Sequence, residues 1–263
     1  MLENQAMTKE PTQKRSNKKR WLLIAILLVF VGLLLWGINW ATYARPPLPE
    51  AVAALESDEL VEVTQDPWLT FSPAQTAPET GFIFYPGGRI DPKGYASLMQ
   101  RIAAEGYLVV VPEMPINMAV FDANVADEII AAYPEISNWS IGGHSVGGTA
   151  AAQYINTHPE EIDGLVIWAS FPADNADLSG SDLPVTLIYG TEDPKVNDES
   201  VAARKHLLPD DTNYVRIEGG GHHHFGSYEI KPEEHQAIIG ADEQQEIIIQ
   251  ATLGLLDSIS GTE

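Results

Sequence analysis

Ser145, Asp193 and His222 lie far apart in a chain of 263 residues that has no cysteine, yet their types and order could build one reaction centre. A serine hydroxyl becomes a useful nucleophile only when a base removes its proton, and the base works best when a carboxylate orients it. Ser145 sits in the run GGHSVGG at 142–148, between a strand-like stretch ending at Gly142 and an Ala-rich helical stretch. A serine on such a sharp strand-to-helix turn is strained and stands clear of the sheet, so the residues two before and two after it must be small. Gly143 and Gly147 meet that demand. The hydroxyl then lies at the start of a helix beginning near Val146, whose unpaired amides and dipole favour negative charge. An acyl-transfer enzyme develops its oxyanion at such a point.

The base and its carboxylate are read from two later strand ends. Asp193 follows the strand-like run Val185–Gly190 in YGTEDP, and His222 follows Tyr214–Ile217 in EGGGHHHFG. Asp before Pro also starts turns or caps helices; Glu192, Asp198 and Glu199 are the substitute carboxylates. His223 and His224 compete with His222, and three histidines in a row also suggest metal. Neighbouring side chains of an extended segment point to opposite sides, however, and no ordered second ligand set such as HExxH accompanies them. No metal and no organic cofactor is expected. The three glycines before His222 imply a loop that approaches another backbone closely, which favours the first histidine. His144 is read as packing beneath the turn, His158 as ending a helix, and His206 and His235 as surface residues. An oxyanion hole needs two amide donors. Val146 supplies one, and Gly88 in the PGGRID loop after Gly81–Tyr85 the other, with Arg89 on the rim or paired with Asp91.

The elements that must position these groups alternate. Strand-like runs occur at 60–64, 68–71, 81–85, 107–111, 139–142, 164–169, 185–190 and 214–217, several of them apolar at consecutive positions as in strands covered on both faces. Helical patterns fall between them: Tyr95, Leu98, Ile102 and Ala103 share a face that Gly106 ends, and further helices are expected at 121–133, 146–158, 198–208 and 242–256. Strand alternating with helix implies a doubly wound, mostly parallel α/β sheet with ligands at the carboxyl ends of the strands. The loop between Ala169 and Val185 leaves no room for a helical lid. The expected cleft is open, edged by the loops at 115–120 and 171–177.

Ahead of this body, the run WLLIAILLVFVGLLLWGINW at 21–40 is apolar except for Asn39 and glycines. At about 1.5 Å per residue it spans the roughly 30 Å of a bilayer's hydrocarbon core, and Trp21, Trp36 and Trp40 suit the interface. Residues 1–20 carry Lys9, Lys14, Arg15, Lys18, Lys19 and Arg20 against Glu3 and Glu10, which keeps this tail cytoplasmic and the remainder outside. A cleaved secretory signal is the alternative, because Ala41–Ala44 offers small residues, but the apolar run exceeds the usual h-region of about 7–15 residues. The expected organisation is a basic tail at 1–20, a lipid-embedded helix at 21–40, a Pro-rich stalk at 41–54 and one domain at 55–263. The whole chain has 15 basic and 37 acidic residues; removing the tail's six and two leaves nine and 35, a net charge of −26 outside the membrane. Such a surface repels nucleic acid and anionic lipid, so nucleic-acid binding is excluded. The absence of cysteine suits a bacterial surface protein.

Five separated segments carry a family resemblance: FYPGGRID at 84–91, AAEGYLVVVPEMPINMAVF at 103–121, GGHSVGG at 142–148, YGTEDP at 189–194 and GGGHHHFGSY at 219–228. On these the chain resembles the α/β hydrolases, specifically the lid-poor branch called alpha/beta hydrolase fold-5, related to the dienelactone-hydrolase-like proteins. The likeness runs through most of residues 55–258, and the order Ser145, Asp193, His222 is the order of that superfamily. Where relatives commonly have Asn before the histidine, Gly221 stands here, and the membrane helix is not part of the family pattern. The resemblance implies that Ser145 attacks an ester-like carbonyl and His222 takes its proton. Asp193 would hold the imidazole, the Gly88 and Val146 amides would bind the oxyanion, and water would release the acyl group. The expectation is a membrane-anchored, extracytoplasmic serine hydrolase for small-molecule esters. Its rival is a scaffold of the same fold that binds a ligand or partner without catalysis.

Overall fold

The computed structural model of the chain describes residues 18–261. Its first element, α1 (Lys18–Thr42), contains a stretch from Lys19 to Trp40 that is long and apolar enough to cross a membrane. Most of the basic tail, residues 1–17, lies outside the described residues. A second compact unit begins at Thr42.

In this second unit eight strands form one sheet: β1 (Val61–Thr64), β2 (Leu69–Pro73), β3 (Thr80–Tyr85), β4 (Leu108–Val111), β5 (Asn138–His144), β6 (Gly164–Trp168), β7 (Val185–Gly190) and β8 (Asn213–Ile217). Their order is β1-β2-β4-β3-β5-β6-β7-β8, with β1–β2 and β2–β4 antiparallel and every other pair parallel. The helices are α2 (Pro49–Ala53), α3 (Ala96–Ala104), α4 (Val125–Ala132), α5 (Val146–Thr157), α6 (Asp198–Arg204) and α7 (Ala241–Ile259). Successive strand side chains face opposite sides, and β3 shows the consequence. Phe82 and Phe84 pack with Leu98 and Ile102 of α3 and Ile248 and Leu256 of α7, whereas Ile83 and Tyr85 join Ile129 of α4 and Ala151 and Ile155 of α5. Two apolar layers, one on each face, explain why these strands read as unbroken apolar runs.

Two expectations differ from the structure. The helix expected from Phe121 begins at Val125, because residues 119–121 form a short 3-10 turn and Asp122, at φ −153 and ψ 57, breaks the helical path. The stalk expected at 41–54 is a strap laid on the body. Arg45 donates to the Arg89 carbonyl at 2.8 Å and accepts from Asp91 at 3.1 Å; Leu48 donates to Ser227 at 2.9 Å, and Pro46 accepts from Glu229 at 2.9 Å. Proline forbids helix continuation but leaves its carbonyl free to pair with an edge, as Pro46 does. α2 then starts with Pro49 in its first turn and buries Ala51 completely.

Candidate active site

Ser145 occupies the turn between β5 and α5 with φ 53 and ψ −120, the strained geometry expected of it. The turn fits only because its neighbours lack side chains. A Cβ on Gly147 would lie 2.0 Å from the Tyr85 carbonyl oxygen, and one on Gly143 would lie 2.5 Å from the Gly147 carbonyl carbon.

His222 arrives from the loop after β8. Its Nε2 lies 3.2 Å from the Ser145 Oγ and its Nδ1 2.6 Å from Asp193 Oδ2. A carboxylate oxygen only accepts, so Nδ1 carries the proton and Nε2 is left to accept from the serine. Asp193 is 1% exposed, and its other oxygen accepts from the Lys195 and Val196 amides at 2.8 and 3.1 Å. The turn-forming and imidazole-holding readings of Asp193 are therefore both met, one by each oxygen. The structure brings none of the substitute carboxylates to His222: Glu192 bonds Thr191, and Asp198 bonds Tyr189 and Arg216. The other two histidines diverge, His223 toward Tyr228 and His224 toward His235. Burial, followed by the charge of His222, lowers the His223 pKa to about 4.

Gly88 and Val146 face each other across the serine: a Cβ built on Gly88 would lie 3.4 Å from Val146 Cγ2. Neither amide has an acceptor among the described residues, which leaves both N–H groups for a ligand oxygen.

Behind these groups runs a buried chain of hydrogen bonds. Gly87 N–H donates to Tyr95 Oη at 3.0 Å, and Tyr95 Oη meets His144 Nδ1 at 2.8 Å. His144 Nε2 lies 3.0 Å from the His222 carbonyl oxygen. That carbonyl only accepts, so His144 carries its proton on Nε2 and the Tyr95 hydroxyl donates to Nδ1. Burial, together with the nearby His222 and His223 charges, holds the His144 pKa well below the usual histidine value and keeps the ring neutral. His144 thus ties the Gly87–Gly88 loop to the backbone of His222. On the other side of His222, Gln244 of α7 holds Gly221 through both its N–H and its C=O, at 2.9 and 2.8 Å. Sequence reading found neither Tyr95 nor Gln244 as site residues, for both act across gaps that no local motif spans.

The cleft over Ser145 has a volume of about 260 Å³ and is lined by Gly88, Met118, Val146, His222 and His223, with Arg45, Arg89, Lys195 and Glu234 among its charged residues. Of the two loops expected to edge it, the one at 115–120 contributes Met118. The 171–177 loop does not border it, Phe171 lying instead under the Arg204 guanidinium at 4.4 Å. The strap supplies the rim residue that sequence reading missed, Arg45, which pairs with both carboxylate oxygens of Glu234 at 2.6 and 2.7 Å.

The fold recurs in solved structures. MGS-MChE2, an alpha/beta hydrolase enzyme from the metagenome of lagoon sediments at Mar Chica, Morocco, superposes with a TM-score of 0.50 at 20% identity, over 62% of this chain and 89% of that one. Esterase Est2 of the Planctomycetes species Thermogutta terrifontis, with butyrate bound, gives 0.55 at 14% identity over 78% and 97%. The T. terrifontis esterase 2 phosphonylated by sarin gives 0.58 at 13% identity over 77% and 96%. No curated protein matches the sequence. Residues 81–246 match the alpha/beta hydrolase family, and since that stretch is more than half of the chain, running from β3 through the loops of Ser145, Asp193 and His222 into α7, the protein belongs to that family.

Proposed function

We propose that the protein is a membrane-anchored serine hydrolase of ester bonds whose body faces away from the cytoplasm. The observation that carries the reading is the continuous relay from buried Asp193 through His222 to Ser145, with spacings of 2.6 and 3.2 Å. In the proposed reaction His222 Nε2 takes the Ser145 proton as Oγ attacks the ester carbonyl. Asp193 stabilises the imidazolium that results, and the Gly88 and Val146 amides receive the oxyanion. The protonated His222 then gives its proton to the departing alcohol; water, deprotonated by the same nitrogen, releases the acid. The open cleft and the butyrate held by a structural neighbour support small acyl groups. Outward orientation rests on the six basic residues of the tail at 1–20.

Fluorophosphonate labelling tests the reading, because only an activated serine reacts. The wild-type chain should label and should hydrolyse p-nitrophenyl acetate, and Ser145→Ala should lose both while staying folded. A chain that never labels is a scaffold and not an enzyme. Protease added to intact cells should release the body; protection would reverse the orientation.

A further inference from the structure

Resting on the anchored-hydrolase reading, we propose that the loop at residues 115–121 docks on the surface of the bilayer that holds α1, so that the cleft takes its ester substrate from that membrane.

The chain enters the body at the rim of the cleft. Thr42 is the first residue of the folded unit, and its carbonyl accepts from Asn117 Nδ2 at 3.2 Å. Tyr43 lies under the Arg89 guanidinium at 5.4 Å, and Arg45 is hydrogen-bonded to the Arg89 carbonyl at 2.8 Å. Arg89 in turn donates its N–H to the Asn117 carbonyl at 2.8 Å. Three segments, 42–45, 89–91 and 115–121, are thus laced together beside Gly88. The covalent link alone sets the distance: Trp40 and Thr42 are two residues apart, about 7 Å at full extension. A bilayer that holds residues 21–40 cannot lie far from this rim.

The loop is also the apolar part of the surface. Outside α1, the described large hydrophobic residues that remain exposed are Tyr43, Val52, Leu60, Ile116, Val120, Phe121 and Ile238; three are on this loop and Tyr43 is beside it. Phe121 is 62% exposed, two residues after Ala119 at 0%. Aromatic residues such as Phe121 and Tyr43 are the type that enters the headgroup boundary. Charge selects the same face. The body holds nine basic residues among 35 acidic ones, and three of the nine, Arg45, Arg89 and Lys195, border the cleft against one carboxylate, Glu234, which pairs with Arg45. The body as a whole repels lipid phosphates, and its cleft rim is the place where that repulsion is relieved. The short covalent link to the membrane-held helix keeps the bilayer at high effective concentration, whereas a second copy must be recruited from elsewhere, which makes the bilayer the better occupant.

The chain's lack of cysteine permits a direct test. Full-length Phe121→Cys, labelled with an environment-sensitive nitrobenzoxadiazole and reconstituted in phosphatidylcholine vesicles, should show blue-shifted emission that doxyl-labelled phosphatidylcholine quenches. The same label at Asp211→Cys, exposed just before β8 at the opposite end of the strands, should show neither effect. Water-like emission from position 121 overturns the proposal. So does protection from water without lipid quenching, which would mean that another protein surface covers the loop. In a second arm, Phe121→Ser should leave p-nitrophenyl acetate turnover within twofold of wild type and lower turnover of the butyrate ester of a long-chain alcohol carried in the vesicles at least fivefold. Equal loss on both substrates overturns the docking role. If the wild type hydrolyses neither ester, the hydrolase reading fails by itself, while the fluorescence still decides whether the loop meets lipid.

Discussion

At the scale of residues, His144 separates a local reading of the sequence from what folding adds. As the neighbour of Ser145 it reads as packing, and it is fully buried, but its two nitrogens bridge Tyr95, 49 residues before it, and the carbonyl of His222, 78 residues after it. Nothing in GHSVGG announces those partners. Asp193 and His222 were legible because turn chemistry and glycine spacing are local; Tyr95 and Gln244 were not, since their roles exist only after the sheet has closed. If the bridge positions both the Gly87–Gly88 loop and the His222 backbone, His144→Leu should lower kcat about 10- to 100-fold with little change in KM, at the few kcal/mol typical of lost preorganisation. Tyr95→Phe, which removes one link of the same chain, should give a smaller loss. The double variant should fall short of the product of the two effects, because coupled groups are not additive. Strictly multiplicative losses would show two independent packing defects. Asp193→Asn is expected to cost far more, about 10³- to 10⁴-fold in kcat, because the amide leaves His222 in the wrong tautomer.

At the scale of elements, unbroken apolar runs marked the buried strands β3, β4, β6 and β7, since a strand covered on both faces has little choice of composition, whereas β1 and β8, largely exposed or half-buried, had to be read from shorter mixed runs. The strap was misread for the complementary reason. Arg45–Pro49 has a linker's composition, and its role depends on backbone partners at Arg89, Ser227 and Glu229 that no window of sequence contains. A soluble fragment that starts at residue 55 should therefore be markedly weaker than one that starts at residue 43. The shorter fragment loses the four backbone hydrogen bonds of the strap, the burial of Ala51 and the pair between Arg45 and Glu234. At roughly 1 kcal/mol per hydrogen bond and about 2–4 °C per kcal/mol, the midpoint of thermal unfolding should drop by on the order of 10 °C. Equal midpoints for the two fragments would make the strap a passive linker. The same cut should disturb the cleft rim, since Arg45 borders it.

For the whole molecule, two effects of acidification oppose each other, and their pH ranges decide which governs. The body's net charge of −26 repels itself, and protonating carboxylates would relieve that strain, but ordinary carboxylates titrate near pH 4. His144 acts earlier. Folding holds its pKa well below the unfolded value of about 6.5, so below that pH the unfolded chain binds a proton that the folded chain refuses. Stability is complete above pH 6.5 and is lost as pH falls, at up to about 1.4 kcal/mol per pH unit. His223, lowered to about 4 chiefly by burial, works in the same direction between pH 6.5 and 4. Glu234 enters later: its hydrogen bonds from Arg45 lower its pKa to about 2, so its contribution is kept above the usual carboxylate range and lost only below it. Between pH 7.5 and 5.5 the histidines should dominate. The unfolding midpoint of a fragment covering residues 43–263 should therefore fall over that interval in spite of the acidic composition. His144→Gln, which does not titrate, should be less stable at pH 7.5 and should show a shallower fall. A midpoint that rises on acidification through this interval would mean that the burial of neutral His144 is outweighed by self-repulsion.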